Sequence, residues 1–242
     1  MRSAIVRHRA VVRAQALSAE SFCAAAAGRA LFPGRRIRLG ELVAVRQESI
    51  DPRTLGARAM IDYIGLEAIE PGTGRLLGAR RVMAAAVRSR SRVFRAGDVL
   101  YGRLRPALNK VLAVPDALAH GICSNELIVL TPLPGAITPH LLARLLRLPA
   151  VRAALAGRTT GSALPRLQAD ALLAIELPVI APRLRQRLER ALIAGQARCD
   201  ELRSALERAS GALDALVTRA IGDGARAVAT ARHRERRPPQ QR

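Results

Sequence analysis

A long heptad repeat near the C-terminus constrains the fold more than any other feature of this sequence. Between residues 183 and 220, aliphatic or small residues recur at alternating steps of four and three, which is the spacing of a helix that pairs with another helix. The positions of this seam are Leu188, Leu192, Gly195, Cys199, Leu202, Leu206, Ala209, Leu213, Leu216 and Ala220, and its six leucines are the predicted pairing residues. Such a helix would be on the order of 55 Å long. A small domain cannot cover so long a seam, so the pattern predicts a partner helix; the alternative is a helix folded back on the chain.

A second constraint is the stretch at residues 94–130, where two apolar runs flank polar and cationic side chains. A glycine–aspartate turn pair precedes the first run, whose branched and aromatic residues favour a strand. Pro106 then ends that strand, because proline lacks a donor for the ladder. The polar residues between the runs include Arg103, Arg105, Asn109 and Lys110, the only lysine of the chain. They form either an ordinary loop between two strands or a cationic rim that faces an anion.

The charge of the chain favours a polyanionic partner. The formal net charge is +21, with 40 Lys and Arg residues against 19 Asp and Glu residues. A high-GC coding bias contributes arginine and alanine, but it need not produce twice as many cations as acids. Nucleic acid is therefore the first expectation and an anionic membrane surface the second. No apolar run approaches the roughly 20 residues of a membrane span.

Further candidate contact residues lie in two other loops. The region 139–156 has helical periodicity, with a break at Pro149, and a loop rich in arginine and hydroxyl groups follows it. Arginine and hydroxyl side chains are common phosphate ligands, although a connecting loop explains them equally well. The candidates are Arg158, Thr160 and Arg166, together with Arg46 and Gln47 in the loop after an expected strand at residues 36–45.

An enzyme is the alternative from another class. His120 lies close to Cys123 and Ser124, but no catalytic signature surrounds them, and a buried cysteine at a strand start is the simpler interpretation. Neither a Walker-type phosphate loop nor a methyl-donor motif is present. The three cysteines are far apart and form no cluster with histidine, so no metal site or disulfide framework is indicated, which fits a reducing cytoplasm.

Several segments, taken together, resemble the target-recognition domain of type I restriction–modification specificity subunits. The segments are GDVLYGRLRPALNK at residues 97–110, GICSNELIVL at 121–130, IRLGELVAVRQESI at 37–50 and GSALPRLQADALLAIELPVIAPRLRQRL at 161–188. Their order and spacing carry the resemblance, which covers roughly residues 36–220.

The resemblance implies an α+β fold, with one mixed α/β target-recognition domain followed by a long helix of the coiled-coil type. We expect a basic extension rich in alanine and arginine at 1–35, the recognition domain at 36–182, the helix at 183–221 and a basic, disordered tail at 222–242. Gly222 and Gly224 are expected to end the helix.

The resemblance also implies a function and partners. Full-length members carry two recognition domains, so this chain corresponds to a half-length form that would homodimerise through its helix or pair with a second half. It would bind double-stranded DNA without being an enzyme itself. A methyltransferase subunit and a motor–nuclease subunit would carry S-adenosylmethionine, ATP and Mg²⁺. A basic RNA- or ribosome-associated protein remains the alternative favoured by charge alone, although the chain lacks the aromatic residues that readers of single-stranded RNA generally use.

Overall fold

The computed structural model describes residues 34–56, 58–161 and 163–235, with side chains up to residue 223. The chain divides into two compact units, of which the first ends at Glu189 and the second begins at Arg190. The first unit contains all the strands of the described residues, and the second belongs to one long helix. The N-terminal extension expected at residues 1–35 lies outside the described residues except for its last two positions.

The elements alternate between short strands and short helices before the long helix begins. The strands are β1 (Arg36–Arg38), β2 (Val43–Val45), β3 (Ser49–Ile50), β4 (Met60–Ile64), β5 (Arg80–Met83), β6 (Ser91–Arg95), β7 (Val99–Gly102), β8 (Val111–Ala113), β9 (His120–Cys123), β10 (Leu127–Pro132), β11 (Thr159–Thr160), β12 (Arg166–Leu167) and β13 (Glu176–Pro178). The helices are α1 (Pro139–Leu146), α2 (Pro149–Ala156), α3 (Ala169–Leu173) and α4 (Pro182–Glu235). Single 3-10 turns occupy Leu39–Glu41, Pro52–Leu55, Leu66–Ala68, Ala84–Ala86 and Pro106–Leu108.

Two sheets form the framework of the first unit. One is fully antiparallel, with the strand order β2-β10-β7-β8. The other has the order β3-β6-β9-β4-β5, and its β4 and β9 run parallel while its other pairs are antiparallel. Two small pairs, β1 with β13 and β11 with β12, complete the strands. This combination of one antiparallel and one mixed sheet with a long C-terminal helix confirms the predicted α+β class.

An apolar core joins the two sheets. Phe94 from β6 and Ile64 from β4 lie in the same buried cluster as Leu100 from β7 and Val129 from β10. Burial of each of these side chains contributes about 1.5–3 kcal/mol to folding. Gly121 in β9 allows this packing, because a Cβ atom there would lie 2.5 Å from the ring of Phe94. The strands that carry the functional loops therefore stand on a shared core.

The sequence pattern was less accurate where short turns interrupt it. The expected strand at residues 36–45 is two strands, because the 3-10 turn Leu39–Glu41 separates β1 from β2. The Glu41 carboxylate accepts a hydrogen bond from the Arg38 N–H at 3.1 Å, which stabilises that turn. The predicted break at Pro149 is confirmed, since α1 and α2 are separate helices and proline occupies the first turn of each.

Helix α4 is longer than the sequence predicted. It has 54 residues and continues to Glu235, so the prediction that Gly222 and Gly224 end it was wrong. Glycine lowers helix propensity by about 1 kcal/mol per residue, and the helical sequence on both sides outweighs this cost. The part of the expected disordered tail before residue 236 is likewise helical, and residues 236–242 lie outside the described part. Among the described residues, no helix has the length and apolar character needed to cross a membrane.

Candidate nucleic-acid interface

The two cationic segments that the sequence singled out lie side by side. Strand β7 ends at Gly102, which is paired with Leu127 at the start of β10, so the residues after β7 and before β10 emerge at one edge of the sheet. The Arg103 N–H donates to the Glu126 carbonyl at 2.9 Å, and the Leu167 N–H donates to the Arg103 carbonyl at 2.9 Å. We refer to the resulting surface as the rim. It consists of Arg103, Arg105, Glu126, Thr160, Arg166 and Gln168.

A chain of hydrogen bonds orients Arg103 within the rim. Its Nη2 donates to Gln168 Oε1 at 2.8 Å, and Gln168 Nε2 donates to Thr160 Oγ1 at 3.5 Å. The Thr160 hydroxyl in turn donates to the Arg166 carbonyl at 3.3 Å. The half-buried Arg103 guanidinium is therefore held by a neutral amide and not by a carboxylate in this contact.

Arg166 has an acidic partner instead. Its Nη2 and Nε donate to Glu126 Oε1 at 2.8 and 3.0 Å, and both side chains are partly exposed. Hydrogen bonding to Glu126 raises the pKa of Arg166 above its ordinary value. The pair fixes the guanidinium plane while offsetting one positive charge of the rim.

Between β7 and β8, Arg105 is exposed, whereas the other two cations, Arg103 and Lys110, are half-buried. The Arg105 backbone has φ 47° and ψ 60°, in the left-handed region, and Asn109 four residues later has φ 53°. Such a conformation costs on the order of 1 kcal/mol for a residue with a Cβ atom. The two residues flank the Pro106–Leu108 turn, which places the Arg105 side chain at its outer end.

The rim continues toward the five-stranded sheet. Asn125 precedes Glu126 in the turn between β9 and β10, and its Nδ2 donates to the Arg90 carbonyl. The Nε of the exposed Arg90 donates to Ser49 Oγ at 3.0 Å. Near the other end of the rim, the exposed Arg158 donates from Nη1 to the Ala171 carbonyl at 3.4 Å. Both arginines present charged groups next to the rim.

Two of the predicted contact residues following Pro106 have internal roles. Asn109 is only 6% exposed, and its Nδ2 donates to the Arg147 carbonyl at 3.0 Å. This burial contradicts the surface position predicted for Asn109, whose amide instead fixes the turn before β8. Lys110 is half-buried, and its Nζ donates to the Leu66 carbonyl at 2.7 Å, so one of its three donors is used within the domain.

The predicted contact Arg46 is part of a buried ion pair. Its Nε and Nη2 donate to the two carboxylate oxygens of Asp98 at 2.9 and 3.0 Å, and the hydrogen bond to Asp98 raises the pKa of Arg46. Asp98 is 1% exposed and also accepts hydrogen bonds from the Thr131 hydroxyl and the Arg95 N–H. Arg46 therefore joins β2 to β10 and to the turn before β7. Gln47, in contrast, is exposed.

Sequence reasoning missed two residues that organise the rim. Gln168 follows directly after β12, and its polar side chain beside the expected contact Arg166 was the available signal. Glu126 is an acid in a basic chain, and its role depends on Arg166, which lies forty positions away in the sequence. No local pattern connects these positions, because they meet only through the pairing of β7 with β10 and the contact of the segment after β7 with β12.

The enzyme alternative with Cys123 as the nucleophile finds no support in the geometry. Cys123 is fully buried, and this burial raises the pKa of its thiol to about 12. His120 stands at the other end of the same strand, roughly 10 Å away at about 3.3 Å per residue. A nucleophile requires a base within hydrogen-bond reach, and these two residues do not meet that requirement. In the described part of the chain, no group of three or more His, Cys, Asp and Glu side chains could hold a metal ion.

The six leucines predicted to pair differ in their exposure along α4. Leu188 and Leu192 are half-buried. The other four leucines of the seam are exposed, and the exposed fractions are 54% for Leu202, 71% for Leu206, 65% for Leu213 and 67% for Leu216. The second unit thus presents a row of apolar side chains without a covering surface from its own residues.

The sequence matches no protein-family profile and no curated protein. Two solved structures share the fold of a mixed α/β domain with a long helix. The first, from a study of complex assembly and conformational transition of the type I R-M system, is 25% identical, with a TM-score of 0.60; the match covers 87% of this chain and 51% of that one. The second is the HsdS subunit from Thermoanaerobacter tengcongensis, which is 26% identical, with a TM-score of 0.57 and coverages of 72% and 44%.

These likenesses confirm the resemblance seen in the sequence. The chain has the fold of a type I restriction–modification specificity subunit. It spans about half the length of the two chains that it matches.

Proposed function

We propose that this chain supplies one target-recognition unit of a type I restriction–modification specificity subunit, and that its rim binds one half-site of a double-stranded DNA target. The observation that supports this most directly is the convergence of the segments after β7 and after α2 on one cationic surface. The fold shared with specificity subunits supports the same proposal.

The chemistry of the rim suits a DNA backbone. Arg103 and Arg166 have guanidinium groups held in fixed orientations, and Thr160 adds a hydroxyl group. Arginines that neutralise phosphates release condensed counterions, so binding would weaken as the salt concentration rises. Arg158, Lys110 and Gln47 remain further candidate contacts.

Helix α4 would join this recognition domain to a second one. Its exposed seam suits another helix of the same kind, either from a second copy or from a separate half-subunit. Two recognition domains joined in this way would bind a bipartite target. Catalysis would belong to a methyltransferase subunit with S-adenosylmethionine and to a motor–nuclease subunit with ATP and Mg²⁺, in the cytoplasm.

Affinity capture from the native host tests the assignment. The intact tagged chain is expressed in that host, and the retained proteins are identified by mass after nuclease treatment. We expect a methyltransferase subunit among them. A result with only ribosomal or RNA-bound proteins would contradict the proposal and favour the RNA-binding alternative.

DNA binding by the purified chain is tested separately by titration at several salt concentrations. Replacing Arg103 with Ala should reduce the magnitude of the slope of log K against log salt by about 0.9, the value for one lost phosphate contact. Arg36→Ala is the matched control, because Arg36 lies in β1 and forms an ion pair with Glu176. Equal slopes for wild type and Arg103→Ala would remove Arg103 from the interface.

A further inference from the structure

Arg92 is a half-buried arginine whose charge has no partner within the part of the chain that the structure describes. In that part, the arginines with a buried Nε that donates no hydrogen bond are Arg75, Arg92, Arg103 and Arg147. The other three each use a further N–H in a hydrogen bond to a carboxylate, an amide or a carbonyl oxygen. Arg92 forms no hydrogen bond or ion pair with any described residue.

Strand pairing places Arg92 next to a second arginine and a hydroxyl group. Arg92 lies in β6 directly opposite Ser49 of β3, the edge strand of the five-stranded sheet. Opposite residues of an antiparallel pair share one face, with Cβ atoms about 5 Å apart. The exposed Arg90 lies on the same side, because its Nε donates to Ser49 Oγ at 3.0 Å. We refer to Arg90, Arg92 and Ser49 as the β6 cluster.

The acids near the β6 cluster are bound by other arginines. Arg53 donates from Nε and Nη2 to the two carboxylate oxygens of Asp51 at 2.9 and 2.7 Å. Glu48 accepts from Arg95 Nη2 at 3.2 Å. A charge removed from water is costly unless it is paired, and an unsatisfied polar group in a folded protein calls for an explanation such as a bound ion. Among the described residues, nothing neutralises the cluster.

The main chain holds the β6 cluster in a fixed position beside the rim. Ser91 is buried, and its Oγ donates to the Ser89 carbonyl at 3.2 Å. The Asn125 Nδ2 donates to the Arg90 carbonyl, and Asn125 directly precedes Glu126 of the rim. The cluster therefore extends the cationic surface of the rim along the edge of the five-stranded sheet.

Two guanidinium groups beside a hydroxyl group suit the oxygens of a phosphate. A base edge lies inside a groove and is reached by an extended side chain, whereas Arg92 is half-buried in its sheet. Resting on the proposed function, we infer that the β6 cluster is a second anion site, which holds one phosphate of the DNA backbone next to the rim. Phosphate contacts carry no sequence information directly, so the site would contribute affinity and position with any target.

The test measures DNA binding and stability on the same variant of the intact chain, Arg92→Met. Titration with a short double-stranded DNA of mixed sequence should show a slope of log K against log salt that is smaller in magnitude by up to about 0.9, the value for one phosphate contact. The urea midpoint, followed by tyrosine fluorescence, should equal or exceed that of the wild type, because methionine removes a partly buried charge that lacks a partner.

Two further variants separate the site from net charge and from packing. Arg80→Met is the matched control, since the exposed Arg80 lies in β5, three strands away from β6 in the same sheet, or roughly 14 Å at about 4.8 Å per strand. Its slope should stay close to that of the wild type. Arg92→Lys should keep most of the slope, because an ammonium group also binds phosphate. If Arg92→Met lowers both slope and midpoint, restoration of the slope by lysine supports the site, and failure to restore it counts against the site.

Four results would overturn the inference. A lower urea midpoint for Arg92→Met with an unchanged slope would mean that Arg92 serves the fold, and the proposed function would stand. An equal loss of slope in Arg80→Met would mean that net charge alone governs binding. If phosphate at the ionic strength of a chloride reference raises the midpoint of the wild type but not of Arg92→Met, while their DNA slopes agree, the site holds a free anion and not DNA. If the wild type does not bind DNA at all, the proposed function fails together with the inference.

Discussion

The rim and helix α4 differ in whether their side chains find partners within their own unit. In the rim, Arg103 and Arg166 already have partners within the domain. Along α4, Leu206, Leu213 and Leu216 are each about two-thirds exposed, and none is covered by the second unit itself. A row of exposed leucines at heptad spacing is unfavourable in water, whereas a partly paired cationic surface is not.

The difference shows which unit covers its apolar side chains with its own residues. The first unit has its own core and presents a preformed surface, so it should fold without help. The second is a helix that does not cover its own row of leucines, and an isolated helix gains little stability from propensity alone. Single substitutions in one unit at a time test this difference.

The largest effect is expected from Leu206→Asp. Pairing across the seam would bury two leucines per dimer, and the substitution replaces them with two carboxylates that would need desolvation. Association should weaken by on the order of 5 kcal/mol per dimer, or more than a thousandfold. Sedimentation equilibrium measures this directly.

The control for Leu206→Asp is Ser204→Asp, because Ser204 lies off the seam and is exposed. It introduces the same charge two residues away. If both variants self-associate as strongly as the wild type does, the seam is not the pairing surface.

The next effect is expected from Asp98→Ala in the first unit. The substitution leaves the half-buried Arg46 guanidinium without its carboxylate, and breaking a buried pair costs about 3–5 kcal/mol. Both tyrosines of the chain, Tyr63 and Tyr101, lie in this unit, and there is no tryptophan. Tyrosine fluorescence during urea unfolding therefore reports on the first unit.

Asp51→Ala is the matched control for Asp98→Ala, since Asp51 forms an exposed pair with Arg53. Its urea midpoint should stay close to that of the wild type. If Asp98→Ala also leaves the tyrosine transition unchanged, the ion pair does not hold β2 and β10 together.

The smallest effect is expected from Glu126→Gln. The substitution removes the carboxylate that offsets Arg166, so binding to unrelated DNA should become a few-fold tighter and its log–log salt slope steeper by up to about 0.9. Glu176→Gln removes the same charge beside Arg36, away from the rim. The same change in both variants would mean that net charge, and not the rim, governs the effect.

The sequence predicted the features that depend on local pattern. The strand before Pro106, the break at Pro149 and the long helix were all found, because turn residues and heptad spacing determine them locally. The helix end was misplaced, since Gly222 and Gly224 are tolerated within a long helix. The break between β1 and β2 was also missed, because Leu39–Glu41 continues the apolar alternation on either side of it.

The site was only partly predictable for a different reason. Arg103 and Arg166 were identified by residue type, but their juxtaposition required the tertiary contact between the segment after β7 and β12, where the Leu167 N–H donates to the Arg103 carbonyl. The burial of Asn109 depends on the Arg147 carbonyl, which comes from the junction of α1 and α2. A polar residue in a cationic loop gives no sign in the sequence of which distant carbonyl it will meet.

The Pro106–Leu108 turn has a consequence for how new recognition can arise. Its backbone is held by main-chain groups, including the Gly72 N–H, which donates to the Leu108 and Asn109 carbonyls at 3.2 Å each. The exposed side chains at Arg105 and Ala107 contribute nothing to those bonds. Mutations at Ala107 can therefore change what the turn presents while the turn itself survives, whereas the left-handed backbone at Arg105 limits the residues accepted there. Ala107 is thus the position of this turn best suited to engineered libraries.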